Sequence, residues 1–394
     1  MAVEPKLPVT SPTFDLNEFT AASVIGRGAK GVVFLVRRRS SGETLALKAI
    51  SRASLEHKKP LDERSGNAYR RIWFERDVLL ELRHPLLPSL RGVVSTDNIV
   101  GFAIDYCPGG DLNALRRRQT EKMFSDEVIR FYAAELVIAL EYLHGLLIVY
   151  RDLKPENVMI QENGHIMLVD FDLATKLAYH QSPPETLIRR QETPRTNQKR
   201  KDKKNRSPFR CFSGISDVSP ETPDAGHTPR PPESPAPKRS NSFVGTEDYV
   251  SPEIIEGNGH DFAVDWWCLG VVLYEMLYGK TPFRGQNRKE TFYRILSKPP
   301  ELFGEPTALR DLIGRLLEKD PTKRITGKEI RHHEFFRGVR WETVVDLERP
   351  PFIPEAVPVW EEVGEGIDVE KVVEEIFVDA HGLKGKSRSV DNGT

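Results

Sequence analysis

Residues 149–172 constrain the fold of this chain more strongly than any other stretch of the sequence. They contain Asp152, Asn157 and Asp170, and a pair of short apolar segments lies between the last two. Two apolar segments joined by a short turn predict a pair of strands, with the polar residues at its ends. Carboxylate and amide oxygens held at a rigid turn suit Mg²⁺, which binds few protein ligands and carries phosphates. The stretch therefore predicts a magnesium site that positions a phosphate group.

The composition is that of an ordinary globular chain. The length of 394 residues predicts two to three domains, and a hydrophobic content of 39% is enough for a core. The net charge of −1 gives no global attraction to nucleic acid or membranes, so we expect no specific nucleic-acid binding. We also expect a monomer. The three cysteines are widely spaced and odd in number, which favours neither a disulfide framework nor a zinc site. A reducing compartment is expected, without a secretory signal or a transmembrane helix.

A glycine-rich turn follows a loose N-terminus at residues 1–18. The sequence alternates apolar and polar residues around this turn, whose backbone amides can approach phosphate oxygens without a Cβ in the way. A dinucleotide-binding fingerprint would open a helix after the glycines, whereas Val32 and Val33 continue as a strand. The next strand, at residues 44–50, places Ala46 and Lys48 on one face, which we assign to the nucleotide side.

Helical periodicity begins again at residues 69–82, with Glu75 in the middle. A glutamate that faces Lys48 would orient the amine towards the α- and β-phosphates of a nucleotide. The alternative is an exposed helix face, the usual position of a glutamate. Further along, residues 125–144 predict an amphipathic helix, and residues 265–274 a helix that is apolar nearly all round and central to a large lobe. Asp265 at its start can accept hydrogen bonds from the backbone of residues 149–157.

Residues 19–336 together resemble the eukaryotic protein kinases. The string Tyr-Arg-Asp-Leu-Lys-Pro-Glu-Asn at 150–157 matches the kinase catalytic loop, with Tyr where His is usual. A turn that merely caps backbone explains single Asp or Asn residues but not the whole string. The Pro-Gly-Gly hinge at 108–110 and residues 243–249 are similar to the AGC group. Asp-Phe-Asp at 170–172 and a long insertion in the activation segment resemble the plant AGC family VIII, with the UNICORN-like branch nearest.

The resemblance implies an α+β, bilobal protein-kinase fold. The small lobe at residues 19–105 would be an antiparallel sheet with one helix, and the large lobe at 108–336 mainly helical. Residues 337–394 would form an AGC-type C-terminal extension. The implied activity is that of a non-specific serine/threonine protein kinase that uses ATP and Mg²⁺, in plant growth or developmental signalling.

The resemblance also implies the roles of individual residues. Asp152 would accept the proton of the substrate hydroxyl, Lys154 would neutralise the γ-phosphate, and Asn157 and Asp170 would chelate Mg²⁺. Lys48 would hold the α- and β-phosphates. The residues expected to contact ATP are Ile25, Gly26, Arg27, Gly28, Ala29, Lys30, Gly31, Val32, Val33, Ala46, Lys48, Glu75, Asp105, Cys107, Asp111 and Met159. The residues expected in the apolar column that joins the lobes are Leu79, Leu90, Tyr150 and Phe171.

Substrate recognition and regulation are implied in the same way. Asp111, Glu156 and Glu275 match positions that read substrate arginines, so we expect a basophilic enzyme, and Thr246 belongs to the same substrate site. Ser242 matches the activation-loop phosphosite, and a phosphate there would pair with Arg151. Either the protein itself or an upstream phosphoinositide-dependent kinase would add this phosphate.

The resemblance also implies two structural features. Glu253 should form a buried ion pair with Arg324. Asp172 replaces the usual glycine, which tolerates more backbone conformations.

The insertion at residues 179–239 is rich in proline, and we expect it to be disordered. It carries a basic cluster at residues 199–206, for which three interpretations remain open. The cluster is a nuclear localisation signal read by an import factor, a contact with anionic lipid, or a solvated linker. We therefore expect the protein in the cytoplasm and nucleus, with a peripheral plasma-membrane location as the alternative.

The C-terminal extension lacks the Phe-x-x-Phe ending of many AGC kinases. Trp341 and residues 350–354 should wrap around the lobes. Apolar residues from Val369 to Phe377 fall at helical spacing on an acidic segment. This helix either docks on the small lobe or packs only weakly. A different functional hypothesis is a pseudokinase scaffold that binds partners through the insertion, which the intact set of Lys48, Asp152, Asn157 and Asp170 disfavours.

Overall fold

The computed structural model describes residues 12–28, 31–56, 66–177, 245–355 and 366–382. Several predictions fall outside these residues: those for Ala29, Lys30 and Ser242, the insertion at 179–239 and its basic cluster at 199–206.

The described residues form a six-stranded sheet, two small ribbons and a mainly helical second lobe. The strands are β1 (Thr13–Phe14), β2 (Phe19–Arg27), β3 (Gly31–Arg38), β4 (Thr44–Ser51), β5 (Leu90–Ser95), β6 (Ile99–Asp105), β7 (Ile148–Val149), β8 (Val158–Ile160), β9 (Ile166–Leu168) and β10 (Thr175–Lys176). The helices are α1 (Arg52–Glu56), α2 (Gly66–Glu81), α3 (Leu112–Arg117), α4 (Asp126–Gly145), α5 (Pro252–Glu256), α6 (Ala263–Tyr278), α7 (Arg288–Ser297), α8 (Ala308–Leu316), α9 (Gly327–Arg331) and α10 (Val369–Gly382). The predicted α+β, bilobal architecture is confirmed.

The six strands of the small lobe run in the order β1-β5-β6-β4-β3-β2. All neighbours are antiparallel except β1 and β5, which are parallel. In the middle of the sheet Lys48 lies opposite Val33 on β3 and Phe102 on β6. Because side chains alternate along a strand, Lys48 and Ala46 share the face that looks towards the large lobe.

The N-terminal segment differs from the flexible terminus expected at residues 1–18. Thr13–Phe14 forms an edge strand on β5, and Asp15 and Glu18 form a capping box around a short 3₁₀ helix. The Phe14 ring lies against Gly92, where a Cβ atom would come within 2.2 Å of the ring. The glycine therefore makes room for the aromatic side chain, and burial of that ring stabilises the edge strand Thr13–Phe14.

The core of the large lobe surrounds α6, as its apolar sequence predicts. Trp267 is fully buried and stacks on Phe283 with ring centroids 5.6 Å apart. The predicted pair of Glu253 and Arg324 is confirmed, with two hydrogen bonds of 2.7 and 3.0 Å. The Arg324 guanidinium also lies 5.2 Å from the Trp267 ring centroid. Both charges are buried, so removing either partner would leave the other uncompensated.

The first part of the C-terminal extension crosses both the large lobe and the hinge. Trp341 packs on Phe336, with ring centroids 5.0 Å apart. Further on, a Cβ at Gly164 would lie 2.4 Å from the carbonyl oxygen of Phe352, and one at Gly109 would lie 2.7 Å from Pro354. These two glycines therefore allow the extension to pass close to the β8–β9 turn and the hinge.

Helix α10 docks on the small lobe, which confirms the first of the two expectations for the acidic segment. Val369 and Val373 are buried against the outer face of the sheet, among side chains of β2, β3 and β4. The backbone N–H of Ile367 donates to the carbonyl of Ala21 at 2.8 Å, and the Thr96 hydroxyl donates to Glu370 at 2.5 Å. The helix thus covers the face of the sheet opposite to Lys48.

We predict that Val373→Asp releases α10 from the sheet. The substitution removes a buried apolar side chain and places a charge in its position, at a cost of about 3 kcal/mol or more. Hydrogen exchange measured by mass spectrometry should show loss of protection in residues 366–382. Glu374→Asp places the same side chain one position further on, at an exposed site, and should leave protection unchanged. Equal protection in Val373→Asp and the unmodified protein would contradict this packing.

Candidate active site

The Lys48 ammonium lies at the centre of a cleft between the two lobes. It donates to Glu75 Oε1 at 2.7 Å and to Asp170 Oδ1 at 2.8 Å. Glu75 comes from α2 and Asp170 from the end of the β8–β9 ribbon, so this contact joins both lobes. Burial lowers the pKa of Lys48, but the two carboxylates more than offset this and raise it above its ordinary value. The lysine is therefore a fixed positive charge at neutral pH.

Asp170 is suited to hold a divalent cation. Its side chain remains 43% exposed although one oxygen accepts from Lys48. Burial raises the pKa of Asp170, but the Lys48 ammonium outweighs that effect and holds the pKa below its ordinary value. Across the cleft, the Asn157 amide nitrogen donates to the carbonyl and the carboxylate of Asp152 at 2.9 and 3.0 Å. Because the nitrogen is occupied there, the amide oxygen is the atom available to a metal. This set of hard oxygen donors fits Mg²⁺.

The Asp152 carboxylate is held by three side chains. Its Oδ2 accepts from Lys154 at 2.7 Å as well as from Asn157, and its Oδ1 accepts from the Thr246 hydroxyl at 2.9 Å. The Lys154 ammonium also donates to Thr246 at 3.1 Å. These contacts fix the orientation of a carboxylate that lies beside the candidate metal ligand. Such a group can accept a proton from a hydroxyl brought alongside it.

Asp265 holds the backbone of the catalytic loop, as its position in the sequence predicts. Its fully buried carboxylate accepts from the backbone N–H groups of Tyr150 at 2.9 Å and Arg151 at 2.8 Å, and it contacts His144 Nε2 at 2.8 Å. Arg151 has a φ of 69°, in the left-handed region that non-glycine residues rarely adopt. The buried hydrogen bonds offset the cost of that backbone conformation.

The predicted apolar column is present between the lobes. Leu79, Leu90, Tyr150 and Phe171 belong to one apolar cluster, and the rings of Tyr150 and Phe171 meet edge to face with centroids 5.5 Å apart. The Tyr150 hydroxyl donates to the carbonyl of Val169 in the segment that leads to Asp170. The column therefore connects the position of α2 to that of the candidate metal ligand.

Most of the residues expected to contact ATP line a single cleft of about 580 Å³. The expected residues that line this cleft are Ile25, Gly26, Arg27, Gly28, Gly31, Val33, Ala46, Lys48, Glu75, Asp105, Cys107, Asp111 and Met159. Of the expected residues that the structure describes, Val32 does not line the cleft, because strand alternation turns its side chain into the cluster under α10. The Asp105 carboxylate is also directed elsewhere, since it accepts from the Ser89 backbone at 2.8 Å and pairs with Arg91 at 2.6 Å.

The cleft also contains residues that sequence reasoning did not assign to it. They include Ile50, Ile72, Pro88, Phe102, Tyr106, Val169 and Asp172. Phe102 could have been predicted, because a residue directly opposite Lys48 on an antiparallel strand lies on the same face of the sheet as Lys48. Pro88 carried no such signal, since it comes from a loop whose path depends on tertiary packing.

The backbone at Asp172 does not have the left-handed conformation that favours glycine. Its φ is not positive, whereas Asp170 has a φ of 62°. An aspartate at position 172 therefore meets no backbone penalty of that kind.

The three acids expected to read substrate arginines have different surroundings. Asp111 caps α3 by accepting from the backbone of Ala114 at 2.7 Å, and Glu156 accepts from Asn113 at 2.8 Å. Glu275 is buried and accepts from Arg116 at 2.7 Å. Burial, together with the charges of neighbouring acids, raises the pKa of Glu156. A cation bound nearby would relieve this repulsion.

Arg151 reaches from the catalytic loop towards the activation segment. Its guanidinium donates to the Leu173 carbonyl at 2.7 Å and contacts His260 Nε2 at 3.2 Å. Burial, followed by the Arg151 charge, lowers the pKa of His260 to about 4. Burial also lowers the pKa of Arg151 to about 10, and the positive charge of Arg71 on α2 acts in the same direction. Three basic groups therefore gather at a position that favours an anion.

The fold and this site define a protein kinase. A family model for the protein kinase domain matches residues 19–194 and 230–336. The chain is 56% identical to the serine/threonine-protein kinase OXI1 of Arabidopsis thaliana, over 93% of this chain and 87% of that protein. It is 44% identical to the Arabidopsis thaliana serine/threonine-protein kinase UCN, over 87% and 86% of the two chains. It is 37% identical to the kinase AGC1-5 of the same plant, over 88% of this chain and 61% of that protein.

The chain therefore belongs to the plant AGC serine/threonine protein kinases. This confirms the resemblance to family VIII and to its UNICORN-like branch. In the part of the chain that the structure describes, no helix is both long enough and apolar enough to cross a membrane.

We predict that Asp265→Asn lowers kcat about ten- to hundredfold. An asparagine offers one acceptor oxygen to two backbone N–H groups, so one buried donor loses its partner at a cost of about 1–3 kcal/mol. Steady-state phosphorylation of a peptide substrate measures the effect, with circular dichroism to verify folding. Asp97→Asn, the same change at an exposed site, should retain full activity. An unchanged kcat in a folded Asp265→Asn protein would show that this anchor is dispensable.

Proposed function

We propose that this kinase transfers the γ-phosphoryl group of Mg·ATP to serine and threonine hydroxyls of protein substrates. The observation that carries the proposal is the Lys48 ammonium, held between Glu75 and Asp170 at 2.7 and 2.8 Å. This arrangement places a fixed cation and a cation-binding carboxylate in one cleft, which the chemistry of a nucleotide triphosphate requires.

Each charged side chain of the site would have one task. Lys48 would bind the α- and β-phosphates, and Asn157 and Asp170 would hold Mg²⁺. Bound Mg²⁺ supplies charge neutralisation at the phosphates. Asp152 would orient the substrate hydroxyl and accept its proton, while Lys154 would stabilise negative charge on the group being transferred. The substrate hydroxyl would either replace the Thr246 hydroxyl as a hydrogen-bond donor to Asp152 or donate beside it.

A pseudokinase scaffold is the competing proposal. Such a protein needs no catalytic carboxylate or metal ligand, yet here both are present and oriented by hydrogen bonds. The buried anchor on Asp265 and the strained φ of Arg151 also support a working catalytic loop. Strained backbone of this kind is kept where function depends on it.

We predict that Asp152→Asn reduces phosphoryl transfer about 10²- to 10⁴-fold, the usual contribution of a general base. Radiolabelled ATP and a generic basic protein substrate measure the rate, and Asp97→Asn serves as the matched control. Nucleotide affinity, measured by calorimetry with Mg²⁺, should change much less than the rate. If the purified protein bound Mg·ATP but transferred no phosphate at any substrate concentration, the scaffold proposal would replace ours.

We also propose that the enzyme is basophilic. Asp111, Glu156 and Glu275 all accept hydrogen bonds from residues of α3, and the raised pKa of Glu156 supports a need for positive charge there. Glu275 already accepts from Arg116, so it contributes less to an incoming arginine than Glu156 does. Arginines upstream of the acceptor would therefore interact mainly with Asp111 and Glu156.

Phosphorylation of Ser242 is proposed as the activating switch. The three basic groups of Arg71, Arg151 and His260 support it, because a phosphate adds a charge of about −1.5 to −2 near pH 7. An upstream phosphoinositide-dependent kinase is one candidate for this reaction, and self-phosphorylation is the other. A phosphate paired with Arg151 would tie the activation segment to the catalytic loop.

We predict that a phosphate on Ser242 moves the titration midpoint of His260 upwards from about 4. The negative charge would favour the imidazolium form, so the pKa must rise. Nuclear magnetic resonance of the His260 ring, before and after phosphorylation, measures the shift. Ser242→Ala, treated in the same way, should show no shift and no rise in activity. If phosphorylated protein kept the lower midpoint, the phosphate would not occupy this basic site.

The remaining proposals concern location and partners. A nuclear import factor would bind the basic cluster at residues 199–206, which gives a protein of the cytoplasm and nucleus; contact with anionic lipid at the plasma membrane is the alternative. These proposals rest on the sequence of the cluster alone. Protein substrates follow from the kinase family itself.

A further inference from the structure

His165 lies in the turn between β8 and β9, with a hydrogen-bond acceptor at each of its two ring nitrogens. Its Nδ1 contacts the Glu135 carboxylate, and its Nε2 lies 3.0 Å from the carbonyl oxygen of Leu347. Glu135 comes from α4 in the large lobe, whereas Leu347 belongs to the C-terminal extension. One imidazole ring therefore joins the extension to the core of the large lobe.

The pair formed by His165 and Glu135 is deeply buried. The side chain of Glu135 is fully buried, and that of His165 is only 6% exposed. The second carboxylate oxygen of Glu135 accepts from the backbone N–H of Ile166 at 2.9 Å. The Phe131 ring packs against the imidazole, with ring centroids 5.8 Å apart. Because water is largely excluded here, each ring nitrogen depends on the acceptor that it faces.

The two acceptors around this imidazole require one proton more than a neutral ring carries. A neutral imidazole has one N–H and can donate to only one of them. With a further proton both contacts are satisfied. Either the imidazolium donates twice, or a protonated Glu135 donates to Nδ1 while the Nε2–H donates to Leu347. Without that proton the ring keeps its N–H on the buried Glu135 carboxylate, since an unpaired buried charge is the costlier alternative. The Nε2 lone pair then faces the Leu347 carbonyl, and this hydrogen bond is lost.

The charged groups around the ring favour retention of the proton. The hydrogen bond to Glu135 raises the pKa of His165 more than burial lowers it, and Asp346 of the 3₁₀ helix Val344–Asp346 acts in the same direction as Glu135. Burial raises the pKa of Glu135 as well. Burial and the nearby Glu135 also raise the pKa of Tyr132, so its hydroxyl stays neutral. The pair therefore holds its proton to a higher pH than an isolated histidine does.

The segment anchored at Leu347 continues towards the hinge. The carbonyl oxygen of Phe352 approaches Gly164, the neighbour of His165, and Pro354 lies against Gly109 of the hinge. The backbone N–H of Gly109 in turn donates to the carbonyl of Ile160 on β8 at 3.0 Å. Loss of the Leu347 hydrogen bond would thus loosen the extension at the point from which it crosses to the hinge.

We propose that His165 and Glu135 form a proton-dependent clasp for the C-terminal extension. The clasp holds residues 347–355 while the pair keeps its shared proton, and it weakens when that proton is lost. Docking supplies an acceptor to the protonated ring, so the pKa of His165 is higher in the docked form than in the released form. The stabilisation of docking is therefore complete at low pH and decreases as the pH rises through the raised pKa.

A thiol placed in the extension measures its release. Phe352→Cys in a Cys211→Ser background puts a reactive group at a half-buried position, and the other cysteines that the structure describes are buried. The alkylation rate, divided by that of a short peptide of the same sequence, gives the accessible fraction and cancels the titration of the thiol itself. This fraction should rise about tenfold between about pH 6 and pH 9, the equivalent of one charge-assisted hydrogen bond. Its midpoint should coincide with the titration of the His165 ring in nuclear magnetic resonance. Pro350→Cys, at a buried position, repeats the measurement.

Two substitutions should affect the clasp in opposite directions. Glu135→Gln has the shape of a protonated glutamic acid. Its amide nitrogen can donate to Nδ1 and its oxygen can accept from Ile166, so the Nε2–H stays on Leu347 and the accessible fraction should remain low at every pH. His165→Gln has no titratable ring and should give a high fraction that does not change with pH. His332→Gln, the same change at an exposed histidine, is the matched control and should keep the unmodified response.

Circular dichroism verifies that each variant is folded. If His165→Gln did not fold, the isosteric Glu135→Gln would decide the question by itself. An accessible fraction that stayed constant between about pH 6 and pH 9, or that rose with a midpoint unrelated to His165, would overturn the clasp. A Glu135→Gln protein whose extension opened with rising pH, as in the unmodified protein, would overturn it as well.

Discussion

The buried carboxylate of Asp265 is the interaction on which the geometry of the active site depends. Two backbone N–H groups of the catalytic loop donate to it, and they hold Arg151 in a left-handed conformation. From this loop the Asp152 carboxylate contacts Lys154 and Asn157, and the Arg151 guanidinium contacts Leu173 at the start of the activation segment. One carboxylate on α6 therefore sets the positions of the proposed base and of the proposed phosphate receptor together. Because α6 lies in the apolar centre of the large lobe, this anchor is surrounded by closely packed side chains.

Charge compensation explains how so many ionisable groups share one domain. Two deeply buried pairs of opposite charge, Glu253–Arg324 and Glu275–Arg116, lie in the large lobe. Asp170 pairs with Lys48 yet keeps 43% of its side chain exposed in the nucleotide cleft. The buried pairs fit the cost of burying an unpaired charge, and the exposed part of Asp170 is available to a bound cation.

The sequence predicts the catalytic centre better than its periphery. The Lys48–Glu75 contact and the role of Asp265 towards the loop follow from strand alternation, helical periodicity and a motif of fixed spacing. The edge strand at Thr13–Phe14 does not, because two residues carry no periodicity and their order depends on space left by Gly92. The left-handed conformation of Asp170 could not be predicted either, because motif spacing does not fix backbone angles.

Helix α10 covers the outer face of the small-lobe sheet. In this lobe the face of the sheet that carries Lys48 is open to the nucleotide, while the opposite face is apolar and needs a cover. Helix α10 provides that cover through Val369 and Val373, and the preceding backbone is tied to β2 at Ala21. Strand β2 leads directly into the glycine-rich turn. The last helix that the structure describes therefore packs against the strand that leads into the predicted phosphate-binding turn.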